Sequence, residues 1–523
     1  MGGPVRRFKG LLAVAAAVAL FGAAVGNASA DEAKVTGEKK ESERLIDLTI
    51  ETSAYSEPTN VHVYLPTGYD GNPNKRWPVT YSLAGMQNNY NSFAKILKGE
   101  EMTRDYPSIV VSPDGNSGFW SDWYNNGAGG PPMYESFVIG ELIDLIDQRY
   151  RTIPERSQRA IMGISMGGYG ATSLAARHPD LFGAVATLSG AVDSNNPLIG
   201  TVMSLAPTFD GGAMDSIYGP RLSEEVRWRG SNPTDLASNL RGMDIQVRTA
   251  NGVLNPEIGE GDQPADAASC LVENGVYQGS TSFHEELVEL GVDHLWKDYG
   301  NGCHTPENFT REVVDTMNAL AGNFANPAPD PTRFEFKSIE PEFEIWGWKV
   351  EADPARALEF MTIETGENTV ALTGSGLTRV TSPPLYRGLK KVDVGSKVVR
   401  PTADGTVSFQ VDLGPAHTVQ QYRPGAVTGF ARGQVSFKPH AVVRILKAKR
   451  LQRGVRVCAK AIGGVMPKAR IKSGPRSIRV KLTGTKTCRN LKTGKGKPKK
   501  VNIQGQDTYG HPASAARKVS RRG

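Results

Sequence analysis

Five residues, Gly163-Ile164-Ser165-Met166-Gly167, hold the chemistry that the rest of the chain has to support. They follow Arg159-Ala160-Ile161-Met162, which suits a buried strand, and precede Tyr169 to Ala176, which suits a helix. A serine between glycines on a sharp strand-to-helix turn is a nucleophile elbow. Glycine at 163 and 167 lets the two arms pass closely, because neither residue carries a Cβ. The turn predicts a Ser165 hydroxyl raised above the sheet, at the N-terminus of the following helix. Its chemistry would be attack on a carbonyl carbon. The plainer reading is an ordinary glycine-rich turn; the strand-elbow-helix context favours the nucleophile.

A nucleophilic serine needs a base, an acid that orients the base, and donors for the oxyanion. With this elbow the chain order is serine, acid, histidine. Of the eight histidines, His304 fits best, because it follows the last predicted strand and precedes a helix. His294 begins that strand and reads as packing, His178 as a cap at the end of the elbow helix, His62 as part of an early strand and His284 as part of a helix. His417, His440 and His511 fall outside the region of the elbow. The acid commonly follows the strand ending at Ala250, but that position is Asn251. Glu257, Glu260, Asp262, Asp266 and Glu273 all lie downstream, and residue type alone leaves them as alternatives. The oxyanion donors are predicted to be the backbone N–H of Met166 and, from the loop opened by Gly85, that of Met86.

Strands and helices must place these groups. Runs of strand type lie at 45–50, 60–66, 77–85, 108–115, 159–162, 183–190, 244–250 and 294–299. Helical patterns fit between them, at 92–97, 135–150, 282–290 and 307–321. Alternating strands and helices predict a mostly parallel sheet covered on both faces. The fold class is therefore α/β, an α/β-hydrolase domain over residues 45–325. Before it come a predicted secretory signal peptide, 1–30, and a polar segment, 31–44, expected to be disordered. The signal reading rests on Arg6, Arg7 and Lys9, an apolar run from Leu11 to Val25, and Ala28-Ser29-Ala30. After the domain come a proline-rich linker at 326–333, a β-rich, sandwich-like domain at 334–425 and a basic β-rich tail at 436–523, whose last dozen residues look disordered.

Charge divides along the same lines. From Lys438 to Gly523 the chain has 25 Lys and Arg against one acid, Asp507, so the net charge of +7 splits into +24 there and −17 elsewhere. A basic tail on an exported protein points to an anionic envelope polymer or lipid as partner; nucleic acid is not expected. Export permits disulfides, and position pairs Cys270 with Cys303 and Cys458 with Cys488. No CxxC spacing or Cys/His cluster points to zinc, so no metal and no cofactor are expected.

Three stretches carry a family resemblance. Ser82 to Ser92, Ser-Leu-Ala-Gly-Met-Gln-Asn-Asn-Tyr-Asn-Ser, resembles the oxyanion loop of the antigen 85 mycolyltransferases and their esterase relatives. Ser112 to Tyr124, which ends Phe-Trp-Ser-Asp-Trp-Tyr, resembles their next block, and the elbow resembles that of esterase D and feruloyl esterases. In the antigen 85 group Asn-Gly follows the strand, as Asn251-Gly252 does here, and the acid is a glutamate in a Leu-Glu-Asn-like run about thirty residues before the histidine. Leu271-Val272-Glu273-Asn274 matches, so the resemblance implies Glu273 as the acid. If Glu273 and His304 meet, Cys270 and Cys303 must also come close. The acyltransferases of the group carry an Asp before the oxyanion-loop Gly and an Arg two residues after it; this chain has Ala84 and Gln87. That departure bears on mycolyl transfer to trehalose and leaves ester chemistry intact. The expectation is a secreted serine esterase acting on carbohydrate or lipid esters. The alternatives are an acyltransferase to a sugar hydroxyl, and a non-catalytic envelope-binding protein on a hydrolase scaffold.

Overall fold

A computed structural model of the protein describes residues 33–261, 266–493 and 499–520. The predicted signal peptide, Asp262 and most of the basic loop at 494–500 lie outside the described residues, as does the side chain of Asp266. The first domain is built on nine strands: β1 (Lys34–Lys40), β2 (Leu45–Glu51), β3 (Thr59–Tyr64), β4 (Val79–Leu83), β5 (Ile109–Pro113), β6 (Arg159–Ile164), β7 (Ala184–Leu188), β8 (Asp244–Thr249) and β9 (Leu295–Asp298). The helices that matter here are α1 (Ser92–Lys95), α2 (Met166–Arg177), α3 (Asp266–Glu289) and α4 (Pro306–Ala325). Strand order is β1-β2-β3-β5-β4-β6-β7-β8-β9. From β5 to β9 every pairing is parallel, while β1, β2, β3 and β5 pair antiparallel.

The central strands read as continuous apolar runs because both their faces are covered. Alternate residues sort onto two cores. Ile161 and Val185 face the core that contains Tyr169 and Leu174 of α2. Ala160, Met162, Ala184, Ala186 and Leu188 face the other core, with Phe93 of α1 and Val313, Met317 and Leu320 of α4. Strand order reverses between β4 and β6, which pair directly. Chain leaving β4 turns one way and chain leaving β6 turns the other, so a crevice opens at their carboxyl ends. Gly85 and Ser165 both emerge there.

Two expectations of disorder are corrected. Lys34–Lys40 is an edge strand on β2, and Val35 packs against the core. Its polar composition suits an edge, where charge discourages further pairing, and composition alone cannot see the free edge of β2 that it completes. At the other end, Pro512–Lys518 pairs with Lys500–Gln506, and Ala513 and Ala515 pack inward.

Residues 335–439 form two antiparallel sheets of six and four strands. The strand Ala431–Pro439 belongs to this middle domain, paired with Thr369–Gly374, so the basic domain starts near residue 440 rather than 436. The basic domain packs a three-stranded and a four-stranded sheet over one small core, which contains Val457, Ile471, Val480 and Ile503. Polar contacts fasten the middle domain to the first: Asn239 exchanges two hydrogen bonds of 2.9 Å with the Lys337 backbone, and Arg423 reaches Glu224 at 2.8 Å. No helix among the described residues is long and apolar enough to cross a membrane.

Candidate active site

Ser165 has φ +57° and ψ −119°, a strained conformation for a residue with a Cβ. The surroundings enforce it. A Cβ on Gly163 would lie 2.1 Å from the Gly167 carbonyl oxygen, and one on Gly167 would lie 2.0 Å from that of Leu83. The Ser165 N–H donates to Leu188 O at 3.0 Å, and its carbonyl accepts from Tyr169 and Ala191 N–H at 3.1 and 3.2 Å. Met166 is the first residue of α2, where a backbone N–H has no acceptor within the helix.

Across the crevice, Gly85 to Asn88 form a turn closed by Asn88 N–H to Gly85 O at 3.2 Å, with Gln87 at φ +59°. The Asn88 side chain donates to Met86 O at 3.2 Å, fixing the peptide at Met86. A Cβ on Gly85 would stand 3.4 Å from that of Ser165, so the two loops touch. The Ser112 to Tyr124 block underpins both. Trp120 Nε1 donates to Ala84 O at 3.2 Å, and Phe119 N–H points to Met166 Sδ at 3.4 Å. The Trp120 ring fills the space left by Gly115 and Gly170; a Cβ on either would come within 2.3 Å of it.

His304 lies between β9 and α4, and Glu273 lies on α3, fully buried. Glu273 Oε2 accepts from His304 Nδ1 at 2.7 Å. Its other oxygen accepts from Ser189 Oγ at 2.7 Å, Ala250 N–H at 3.0 Å and Thr249 Oγ1 at 3.3 Å. With Nδ1 committed to the carboxylate, Nε2 is the nitrogen left to take up a proton. Ser165 Oγ makes no hydrogen bond to His304 among the described residues. One apolar pocket of about 100 Å³ links their neighbours: Gly85 and Ile164 beside the serine, Pro306 and Phe309 beside the histidine, with Phe93 and Leu97 at its floor. Phe309 meets the His304 ring edge to face at 4.8 Å.

The Asn251-Gly252 turn explains why the acid comes from α3. Gly252 sits at φ +78°, and a Cβ there would lie 2.6 Å from Cys270 O and 2.8 Å from Asn274 N. Glycine therefore lets α3 close on the end of β8, where the Ala250 N–H meets Glu273. The Cys270–Cys303 disulfide, with Cα atoms 4.3 Å apart, ties α3 to the His304 loop. Cys458–Cys488 joins two strands of the basic domain. Among the other acids, Glu257 is exposed. Glu260 is buried but braces the far side of the loop, accepting from Cys303 N–H at 2.8 Å and Thr305 Oγ1 at 2.6 Å.

One buried acid, Glu312, escaped the sequence reading. Glu312 Oε1 lies 3.0 Å from Ser189 Oγ, the hydroxyl whose single proton goes to Glu273. Burial, then the charge of Glu273, pushes the Glu312 carboxyl well above its usual range. That direction favours the protonated acid, which would donate to Ser189 Oγ beside the orienting carboxylate. A signal existed: Asn308, Glu312 and Thr316 recur at four-residue spacing, a polar stripe on the buried face of α4. Four of the other histidines make local contacts. His178 bonds Glu135 at 2.7 Å, His284 bonds His294 at 2.7 Å and His417 bonds Glu359 at 2.7 Å, all away from Ser165.

A parallel sheet that delivers a strained serine at its carboxyl edge, flanked by a carboxylate-bound histidine, defines the α/β-hydrolase class. Residues 52–317 match the Esterase family, and the chain belongs to it. It is 26% identical over 279 residues to Esterase Rv1288 of Mycobacterium tuberculosis, covering 52% of this chain and 58% of that protein. It is 27% identical over 258 residues to the diacylglycerol acyltransferase/mycolyltransferase Ag85B of Mycobacterium avium, covering 47% and 74%. Among solved structures, Mycobacterium tuberculosis MPT51 (FbpC1) aligns with TM-score 0.42 at 20% identity, covering 52% of this chain and 95% of that one. The chain thus spans 58% of the length of the mycobacterial esterases it matches.

Proposed function

We propose that the protein is an exported carboxylic-ester hydrolase working through Ser165, His304 and Glu273. Ser165 Oγ attacks the ester carbonyl carbon while His304 Nε2 takes its proton. Glu273 holds the imidazolium that forms, and the Met86 and Met166 N–H groups receive the oxyanion. His304 then protonates the departing alkoxide, leaving an acyl-enzyme. Water, deprotonated by the same histidine, releases the acid and restores the serine. A sugar hydroxyl in place of water would give transfer, with every catalytic group unchanged.

The observation that carries this reading is the 2.7 Å bond from His304 Nδ1 to a buried carboxylate whose second oxygen is held by three further donors. The apolar pocket lined by Gly85, Ile164, Pro306 and Phe309 suits a short acyl or aryl group. Two disulfides fit an oxidising compartment. Tethering of the enzyme to an anionic envelope surface by the basic domain is supported by its strands: Arg476–Leu482 turns Val480 and Leu482 inward and Arg479 and Lys481 to solvent.

A serine-directed phosphonate tests the mechanism. It should label one residue, located at Ser165 by peptide mass spectrometry, and the label should be absent from Ser165→Ala. Labelling elsewhere, or full esterase turnover by that variant, refutes the assignment. The tether is tested by binding the full chain to isolated envelope. Retention should fall steeply as salt rises past ~0.15 M, where the Debye length is about 8 Å.

A further inference from the structure

Where the middle and basic domains meet, three side chains from distant parts of the chain converge. Asp393 comes from the middle-domain strand Val392–Val394, His440 from the junction itself, and His511 from the turn after Lys500–Gln506. Asp393 Oδ1 lies 2.6 Å from His440 Nε2, and Oδ2 lies 2.8 Å from His511 Nε2. The two imidazoles stack at 3.6 Å with 10° between their planes. One ligand atom from each residue lies within 4.8 Å of the others.

The second nitrogen of His511 is informative. Its Nδ1 faces Asp507 Oδ2 at 3.2 Å, so both ring nitrogens of His511 face carboxylate oxygens. A neutral imidazole has one N–H and cannot donate to both. An imidazolium could, but its charge would sit against a second ring 3.6 Å away. A cation at Nε2 removes the conflict: Nδ1–H donates to Asp507, and the Nε2 lone pair ligates. That is the carboxylate–histidine–metal arrangement in which an outer carboxylate fixes the tautomer. Asp507 is built for the part. It is buried, it is the sole acid between Lys438 and Gly523, and three backbone N–H groups hold it: Ala441 at 3.0 Å, Tyr509 at 2.9 Å and His511 at 2.9 Å.

We propose that Asp393, His440 and His511 bind a divalent transition metal, with zinc the natural occupant, and that Asp507 orients His511 toward it. Two imidazole nitrogens and one carboxylate oxygen suit zinc and its borderline neighbours rather than calcium or magnesium. On loading, each imidazole binds as the neutral form with its one proton on Nδ1, any second proton passing to water, and the two carboxylates balance the dication. Three protein ligands leave a coordination position for water. The ligands are partly exposed, which gives the ion an entry path. The site shares no residue with the crevice at Ser165; it clasps the basic domain to the middle one. Sequence spacing gives no hint of it, because the ligands stand at 393, 440 and 511.

The test uses the full chain, stripped with EDTA and titrated with zinc chloride alone. One equivalent should bind, and zinc should raise the melting temperature. Cobalt(II) should give the intense visible bands of a low-coordinate site. The variants H440A and H511A should each lose at least tenfold in zinc affinity while hydrolysing a small soluble ester at the wild-type rate. Asp507→Asn should lose about 10- to 100-fold although it touches no metal. Wild-type protein that takes up no zinc overturns the proposal without recourse to variants. So does zinc uptake that H440A/H511A retains in full, which would place the ion elsewhere, for instance at His284 and His294. Affinity unchanged in Asp507→Asn would refute the orienting role.

Discussion

Two of the molecule's carboxylate–imidazole pairings, at the crevice and at the domain junction, differ in burial and in number. At the crevice one buried carboxylate, Glu273, holds one imidazole, and its remaining capacity is filled by Ser189, Thr249 and the Ala250 N–H. At the domain junction one partly exposed carboxylate, Asp393, meets two imidazoles, and a second carboxylate meets one of them from behind. A single donor on a saturated carboxylate fixes a tautomer and leaves one free nitrogen, which suits moving a proton. Two nitrogens converging on one accessible carboxylate suit sharing an ion. The residue types are alike; the count of donors and their access to water separate proton chemistry from metal chemistry.

Ser165→Ala should lower kcat by about 10⁴-fold or more with little change in melting temperature, because the elbow backbone does not depend on the hydroxyl. Unchanged turnover would mean the crevice does no chemistry. Glu273→Gln should cost roughly 10²- to 10⁴-fold in kcat. Asp393→Asn should cost none, which a side-by-side ester assay would read directly. Equal effects of the two substitutions would erase the contrast drawn above.

The disulfides offer a smaller contrast. Replacing Cys270 and Cys303 by Ser should lower both stability, by about 2–4 kcal/mol, and kcat, since the bond ties α3 to the His304 loop. Replacing Cys458 and Cys488 should leave kcat alone. Denaturant melts and the ester assay separate the outcomes. The smallest effect is expected at Glu312. A neutral acid is mimicked by its amide, so Glu312→Gln should keep kcat within a few-fold of wild type. Were Glu312 ionised, the amide would remove a charge beside Glu273 and shift the pH profile of kcat/KM; an unshifted profile supports the neutral form.

Much of this was legible in the sequence. The elbow is a local pattern, since glycine, serine and glycine at fixed spacing between strand and helix specify a backbone before any tertiary contact forms. His304 followed from chain order, and the parallel sheet from apolar runs that only double-sided burial explains. Glu273 was reached through resemblance alone, because nothing in its neighbourhood separates it from Glu257 or Glu260. What selects it is the packing of α3 against the end of β8, permitted by Gly252 and secured by Cys270–Cys303. Lys34–Lys40 read as disordered because a free sheet edge leaves no mark on the strand that will fill it. Glu312 and Asp507 were passed over because an acid's role depends on what desolvates it and what donates to it. The sequence by itself determined the strand-elbow-helix around Ser165, the alternation of strands and helices and the division into an acidic body and a basic end, all set by short-range pattern and composition. Only the tertiary structure decided which carboxylate meets which imidazole, because all of those pairings but Asp507 with His511 join residues 31 to 118 positions apart, and burial and donor count, not residue type, fix what each pair can do.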